Sequence, residues 1–231
     1  MSDPSDEIQV PFTKVVEFVR QFGHDLRNHL NAADLQSTYL AEIATDPELK
    51  AETKRLREML AVVTASVQGV TAAVSPVKLT LMPYRADELM EDLRSKLAGD
   101  FPQESASISW DVAVGEATLE VDPQMLLPAL VELFANAFQH ERAPGSMSVE
   151  ARAADRQFTL TLREPKQQFD RPTEQWGREP FGTIGRGHYG LGLHRARSII
   201  AAHVCQLNAR YDSSAASLST SVILPLSNNP V

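Results

Sequence analysis

The sequence predicts an α plus α/β protein, in which a hairpin of two long helices precedes a two-layer sandwich of helices on a sheet. Three observations predict it. Apolar residues recur at three- and four-residue steps through positions 11–44 and again through 47–74, the spacing of helices that pack seam to seam. Beyond Pro76 the pattern turns to short alternating stretches interleaved with apolar helical ones, as in mixed α and β structure. Six of the 11 glycines (Gly177, Gly182, Gly185, Gly187, Gly190 and Gly192) crowd directly ahead of the last helical stretch.

The first helix is read from Val15, Val19, Phe22, Leu26, Ala33, Leu40 and Ile43. Thr45-Asp46-Pro47-Glu48 then restarts a helix, with a capping side chain, a proline in the first turn and a glutamate placed to reach back to the free amides. Leu49, Leu56, Leu60, Val63, Val67, Val70 and Val74 form its seam until Ser75-Pro76 ends it. One hairpin cannot cover both apolar stripes, so a second copy completing a four-helix bundle is expected, making a homodimer. Residues 10–76 are therefore expected to be a dimerisation hairpin and 77–231 the α/β domain.

In that domain a strand is expected at 79–82, a helix at 85–98 and a strand at 107–114. Asp122-Pro123 opens a strongly apolar helix through Leu126, Leu130, Leu133, Phe134 and Ala137. A strand hairpin at 146–153 and 157–163 follows, then a helix at 191–203 and closing strands at 206–211 and 217–224. The stretch 165–190 is aperiodic, rich in turn formers and long enough to be functional or mobile.

Composition narrows the function classes. The 231 residues are 43% apolar and 23% charged, an ordinary globular chain able to build a core. A formal net charge of −8, from 22 basic and 30 acidic residues, argues against a polyanion-binding surface, so no nucleic-acid partner is expected. The single Cys205 excludes an internal disulfide and a Cys-rich metal site, and its apolar neighbours suit a buried thiol. The opening MSDPSDEIQV is unlike a signal peptide, and no apolar run approaches the roughly 18 residues of a membrane helix. A cytoplasmic protein without membrane insertion is expected.

Three segments hold residues that suit chemistry. Glycines admit close approach of backbone N–H groups to an anion, and a helix N-terminus adds partial positive charge, so GTIGRGHYGLGL reads as a phosphate cradle or as a flexible loop. Glu132, Asn136 and His140 stand at i, i+4 and i+8 on the apolar helix. That polar stripe is either its wet side or a carboxylate and an amide oxygen that hold Mg²⁺, directly or through its waters. In the first helix His24 falls at heptad position f, away from the seam, with Asp25 beside it and Asn28 one turn on. An exposed imidazole there is either inert or a phosphoryl acceptor, whose neighbouring carboxylate orients the ring and takes its proton. His29 falls at d, inside the seam, where a register role is expected.

The order of these segments resembles the transmitter of a bacterial two-component histidine kinase, a phosphoacceptor hairpin followed by a Bergerat-type (GHKL) ATP-binding domain. His24-Asp25-Leu26-Arg27-Asn28 is similar to the H box and Glu132-Leu-Phe-Ala-Asn136-Ala-Phe-Gln-His140 to the N box. Glu179-Pro180-Phe181 is similar to the F box, Gly190-Leu-Gly192-Leu to the second glycine box, and Leu218–Leu226 to the last strand. The resemblance spans residues 10–226.

It implies that Asn136 and Glu132 hold Mg²⁺, and that Gly185, Gly187, Gly190, Leu191 and Gly192 wrap the triphosphate of ATP. His140, Glu164 and Thr220 would complete the nucleotide site. The γ-phosphoryl would pass to His24, with Asp25 as base, and then to an aspartate on a response-regulator receiver domain. Asn28 resembles the residue that positions water when such proteins dephosphorylate their regulator. One box departs: Arg163-Glu164-Pro165-Lys166-Gln167-Gln168-Phe169 stands where the family has Asp-x-Gly-x-Gly, with Glu164 at the aspartate position and no glycine.

Three functions are compatible with this pattern: a histidine kinase, with or without regulator phosphatase activity, a histidine phosphotransferase or phosphatase on the same scaffold with impaired ATP binding, and a non-enzymatic dimeric adaptor. In a chain of this length no attached sensor domain is expected, and input through a separate sensor partner is expected instead.

Overall fold

The computed structural model describes residues 10–139, 143–169, 173, 176–178 and 190–227. The chain forms two compact units, Met1–Pro76 and Val77–Val231.

The first unit is a hairpin of α1 (Phe12–Ile43) and α2 (Pro47–Val74). Asp46 caps α2, its carboxylate accepting the Glu48 N–H at 2.9 Å, and Pro47 opens the first turn, where no backbone donor is missed. Small and hydroxyl-bearing residues fill the contact between the helices: Gly23, Ser37 and Thr53 are buried, as is Ala44 just beyond α1. The hydroxyls of Ser37, Thr53 and Thr71 donate to the carbonyls of Ala33, Leu49 and Val67 in their own helices, each at 2.8 Å. A Cβ on Gly23 would overlap the Thr71 hydroxyl, so glycine sets the closest approach.

The expected single seam is thus divided. Phe22, Leu40, Ile43, Leu49, Leu56 and Val63 lie outside the hairpin contact, each between 41% and 55% exposed, and His29 is exposed as well.

The second unit begins with β1 (Met82–Arg85), three residues later than the expected strand, and continues through α3 (Ala86–Asp100) and the single turn α4 (Pro102–Ser105). Then come β2 (Ser109–Ala113), β3 (Thr118–Val121), α5 (Pro123–Gln139), β4 (Ser148–Ala154) and β5 (Gln157–Pro165). The unit closes with α6 (Gly192–Ala202), β6 (Gln206–Asp212) and β7 (Ser217–Pro225). The main sheet has the order β2-β4-β5-β7-β6, parallel only between β2 and β4, and β1 pairs with β3 in a separate antiparallel ribbon.

Alternation along the strands defines the core. Phe158, Leu160 and Leu162 of β5 and Val222 and Leu224 of β7 join Leu126, Leu130, Phe134, Ala196 and Ile200 of the helices in one buried cluster. Asp122 anchors α5: its carboxylate accepts from Met125 N–H at 3.1 Å and from Thr80 N–H at 2.9 Å. Its own N–H donates to His203 Nε2 at 3.0 Å, while His203 Nδ1 donates to the Ile199 carbonyl at 2.8 Å. The buried His203 ring is thereby a satisfied structural group joining the end of α6 to the start of α5.

Candidate functional site

Two sets of candidate residues lie in different units, and the first is on α1. His24 is exposed, with 63% of its side chain accessible, in keeping with an outward heptad position. Its Nδ1 lies 3.2 Å from Asp25 Oδ1 and 3.5 Å from Asn28 Nδ2. The two neighbours favour different tautomers. Asp25 accepts from a protonated Nδ1, which leaves the Nε2 lone pair free to attack; Asn28 donates to an unprotonated Nδ1, which moves the proton to Nε2. Gln21 Nε2 also donates to Asp25 Oδ1 at 2.9 Å. The hydrogen bond with His24, and next that with Gln21, hold the Asp25 carboxyl below its ordinary value, so it stays ionised beside the ring.

The second set surrounds the contact between α5 and α6. Glu132 and Asn136 are one turn apart on α5, and both are half-buried on a helix whose other faces enter the core. Glu132 reaches the first residue of α6: a Cβ on Gly192 would lie 2.6 Å from the Glu132 carboxyl carbon. The carboxylate therefore sits against a helix N-terminus with no side-chain cap, where partial positive charge favours it. Gly190 has φ +62, a left-handed conformation suited to glycine, and Leu191 is buried ahead of the helix.

These residues fit a Mg²⁺–phosphate group by their donor chemistry: a carboxylate stands against a glycine-flanked helix N-terminus, and an amide side chain follows one turn along α5. Among the described residues no group of three or more His, Cys, Asp or Glu side chains converges, so a Mg²⁺ here would complete its shell with waters or phosphate oxygens. His140, Gly185, Gly187 and the Glu179-Pro180-Phe181 box lie outside the described residues.

At the far end of β5 the arrangement differs from what the resemblance implies. Glu164 continues the core-facing row of Phe158, Leu160 and Leu162, and Lys166 Nζ stands 3.4 Å from its Oε2, the two side chains 2% and 4% exposed. Thr220, 3% exposed on β7, is opposite Leu162 and so diagonal to Glu164. The backbone after β5 is tied down: Lys166 N–H donates to Ala216 O at 2.8 Å, and the Tyr211 hydroxyl donates to the carbonyls of Gln167 at 2.8 Å and Lys166 at 3.3 Å. Where the family pattern has bare backbone, this chain has a buried ion pair on a fixed strand end.

Three features of this unit escaped sequence reasoning. Lys166 stands in the sequence only as a bulky residue where the family pattern has glycine, and nothing there pairs it with Glu164, although the alternation of β5 does carry Glu164 inward. The Tyr211 clamp joins residues more than 40 positions apart and has no local signature. Trp176 is buried against α6, with its carbonyl accepting from Arg197 Nη1 at 2.9 Å and the Arg178 carbonyl from His194 Nδ1 at 2.9 Å. Gly177, at φ +72, lets this turn approach, since a Cβ there would lie 2.9 Å from Leu193 Cγ.

No family model and no curated protein sequence matches the chain. Solved structures do. Full-length ShkA, crystallised in complex with AMPPNP, matches 93% of this chain at a TM-score of 0.70 and 18% identity. This chain spans 47% of ShkA, about half its length. The histidine kinase AdeS of Acinetobacter baumannii matches 89% of this chain and 98% of its own, with a TM-score of 0.52 and 16% identity. A nucleotide-free catalytic domain of the histidine kinase ThkA matches 63% of this chain and 95% of its own, with a TM-score of 0.52 and 16% identity. No helix among the described residues is long and apolar enough to cross a membrane. At these identities the likeness is one of fold: this chain, a helical hairpin followed by an α/β domain, is similar in fold to these histidine kinase structures.

Proposed function

We propose that this chain is an ATP-dependent protein histidine kinase of a two-component system, acting as a homodimer built on the α1–α2 hairpin. The observation that supports it most is the meeting of Glu132 with Gly192, which joins the polar stripe of α5 to the N-terminus of α6. When bound, Mg²⁺–ATP supplies a transferable γ-phosphoryl group and neutralises its charge. Glu132 and Asn136 would hold the metal, and the N–H groups at Gly190, Leu191 and Gly192 would hold phosphate oxygens.

The acceptor is Nε2 of His24 in the tautomer that Asp25 selects. Asp25 holds the ring and stabilises the positive charge it gains on attack. The Nδ1 proton then leaves by way of Asp25 to solvent. His24 would pass the phosphoryl group to an aspartate of a receiver domain. Asn28, which favours the opposite tautomer, would serve the reverse task of regulator dephosphorylation. The buried Glu164–Lys166 pair favours a second reading, a phosphotransferase or phosphatase that does not use ATP.

Incubation with Mg²⁺ and γ-labelled ATP separates the two. Acid-labile, base-stable phosphate is expected on the wild-type chain and none on His24→Ala. Asn136→Ala should slow labelling by roughly a hundredfold or more, because transfer of this kind depends on charge neutralisation and positioning. Label of equal extent on His24→Ala, or no label on the wild type, would sink the kinase reading.

A further inference from the structure

The inward row of β5 continues past the strand. Phe158, Leu160, Leu162, Glu164 and Lys166 are buried in turn, and the last two close the row as an ion pair, Nζ to Oε2 at 3.4 Å, with side chains 2% and 4% exposed. A ligand can touch only surface that solvent reaches, and this couple offers almost none. Seating a ligand between the two charges would leave both ions buried and unpaired, a larger loss than one ligand contact returns.

The backbone is held on both sides. Toward β7, Glu164 is opposite Leu218 and Pro165 opposite Ser217, Lys166 N–H donates to Ala216 O, and the Tyr211 hydroxyl holds the carbonyls of Lys166 and Gln167. On the other side Ala143 N–H donates to Pro165 O at 3.0 Å, and a Cβ on Gly145 would lie 3.2 Å from the Pro165 ring. The phosphate end differs. Glu132 and Asn136 are half-buried there, and α6 begins at Gly192 with no side-chain cap, which leaves its first backbone donors to an anion.

We propose that this chain selects its phosphoryl donor by the Mg²⁺-bound triphosphate alone and leaves the base unread, so that ATP, GTP and inorganic tripolyphosphate form one substrate class. The inference rests on the Mg²⁺–triphosphate site of the kinase reading above. It departs from the resemblance, which would seat the base against Glu164 and bare glycine backbone. Charge neutralisation and donors to phosphate oxygens serve all three compounds alike. With each, the bond from the terminal phosphorus to its bridging oxygen breaks as a bond to His24 Nε2 forms. A nucleoside diphosphate or pyrophosphate leaves, and the Nδ1 proton departs by way of Asp25.

Calorimetric titration of the full chain with ATP, GTP and tripolyphosphate, Mg²⁺ present, tests this. The three dissociation constants are expected to agree within about fivefold, the worth of roughly one net hydrogen bond. Adenosine at millimolar concentration should not compete with ATP, and Asn136→Ala should weaken all three ligands by the same factor. γ-Labelled GTP should label His24 at the rate seen with γ-labelled ATP. A site that read the base through hydrogen bonds would instead separate ATP from GTP widely, because the wrong base leaves polar groups unpaired. Preference for either nucleotide over the other two ligands beyond that range, or competition by adenosine, overturns the base indifference and leaves the kinase reading standing. Binding of none of the three overturns both together.

Discussion

Gly192 and Glu132 constrain each other. A methyl group at position 192 would fall on the Glu132 carboxylate, so Gly192→Ala must displace either that side chain or the first turn of α6. A cost of about 1–3 kcal/mol is expected, typical of overpacking, together with weaker nucleotide binding. Adding Glu132→Ala should recover most of the stability and none of the binding, a coupling that chemical denaturation of the four variants in a double-mutant cycle would measure. Val204 shows a different constraint. This β-branched residue has φ +59 just beyond α6 and is 84% exposed, so its side chain has little packing to offset the strain. Val204→Gly should stabilise the α/β unit by roughly 1 kcal/mol and raise its melting temperature by about 2–4 °C. Cys205 lies next to it, and burial pushes its thiol up to about 12. The native chain at pH 8 should therefore react with a thiol reagent orders of magnitude more slowly than the unfolded chain. The apolar neighbours of Cys205 were legible in the sequence, whereas the strain at Val204 was not, because it depends on how the chain leaves α6.

At the scale of elements, α5 is the part on which the candidate site depends, since Glu132 and Asn136 both project from it. Its start is fixed by Asp122, which caps the helix through Met125, ties the incoming chain through Thr80 and meets His203 through its own N–H. Asp122→Ala would leave the last contact and remove the first two. A loss of about 1–2 kcal/mol is expected, seen as a lower denaturation midpoint of the α/β unit. Asp122→Asn, which keeps one acceptor oxygen, should cost less. This helix was legible from its Asp-Pro start and apolar repeat. Strand β3 was not: Thr118, Leu119 and Val121 are buried and only Glu120 is exposed, so four residues offer no clear alternation. The seam of the hairpin was half legible for a related reason. Ser37, Thr53 and Thr71 read as surface residues, yet each satisfies its hydroxyl on its own helix and can be turned inward at little cost.

The division of that seam bears on the whole molecule. With the hairpin interior filled by Gly23, Ser37 and Thr53, the large side chains Phe18, Phe22, Leu40, Ile43, Leu56, Met59 and Val63 stay at the surface, 41–66% exposed. Phe18 and Phe22 stack at 5.8 Å between ring centroids. So much exposed apolar surface on one hairpin is unusual for a chain that functions alone, and a second copy would cover it in the four-helix bundle expected from the heptads. In a two-fold assembly every substitution acts twice. Leu56→Glu would forfeit the remaining apolar burial of Leu56 and bring a carboxylate into the interface. That is a cost on the order of 1–2 kcal/mol per copy, so the dissociation constant should rise at least tenfold. The side chain of Leu56 is 45% exposed in the single chain, so the hairpin itself should tolerate the change, leaving helix content and the melting of the α/β unit unaltered. Analytical ultracentrifugation is expected to give twice the 25.5 kDa chain mass for the wild type and a shift toward the single mass for Leu56→Glu. A wild-type chain that sediments as a monomer across the micromolar range would remove the dimer from the proposal.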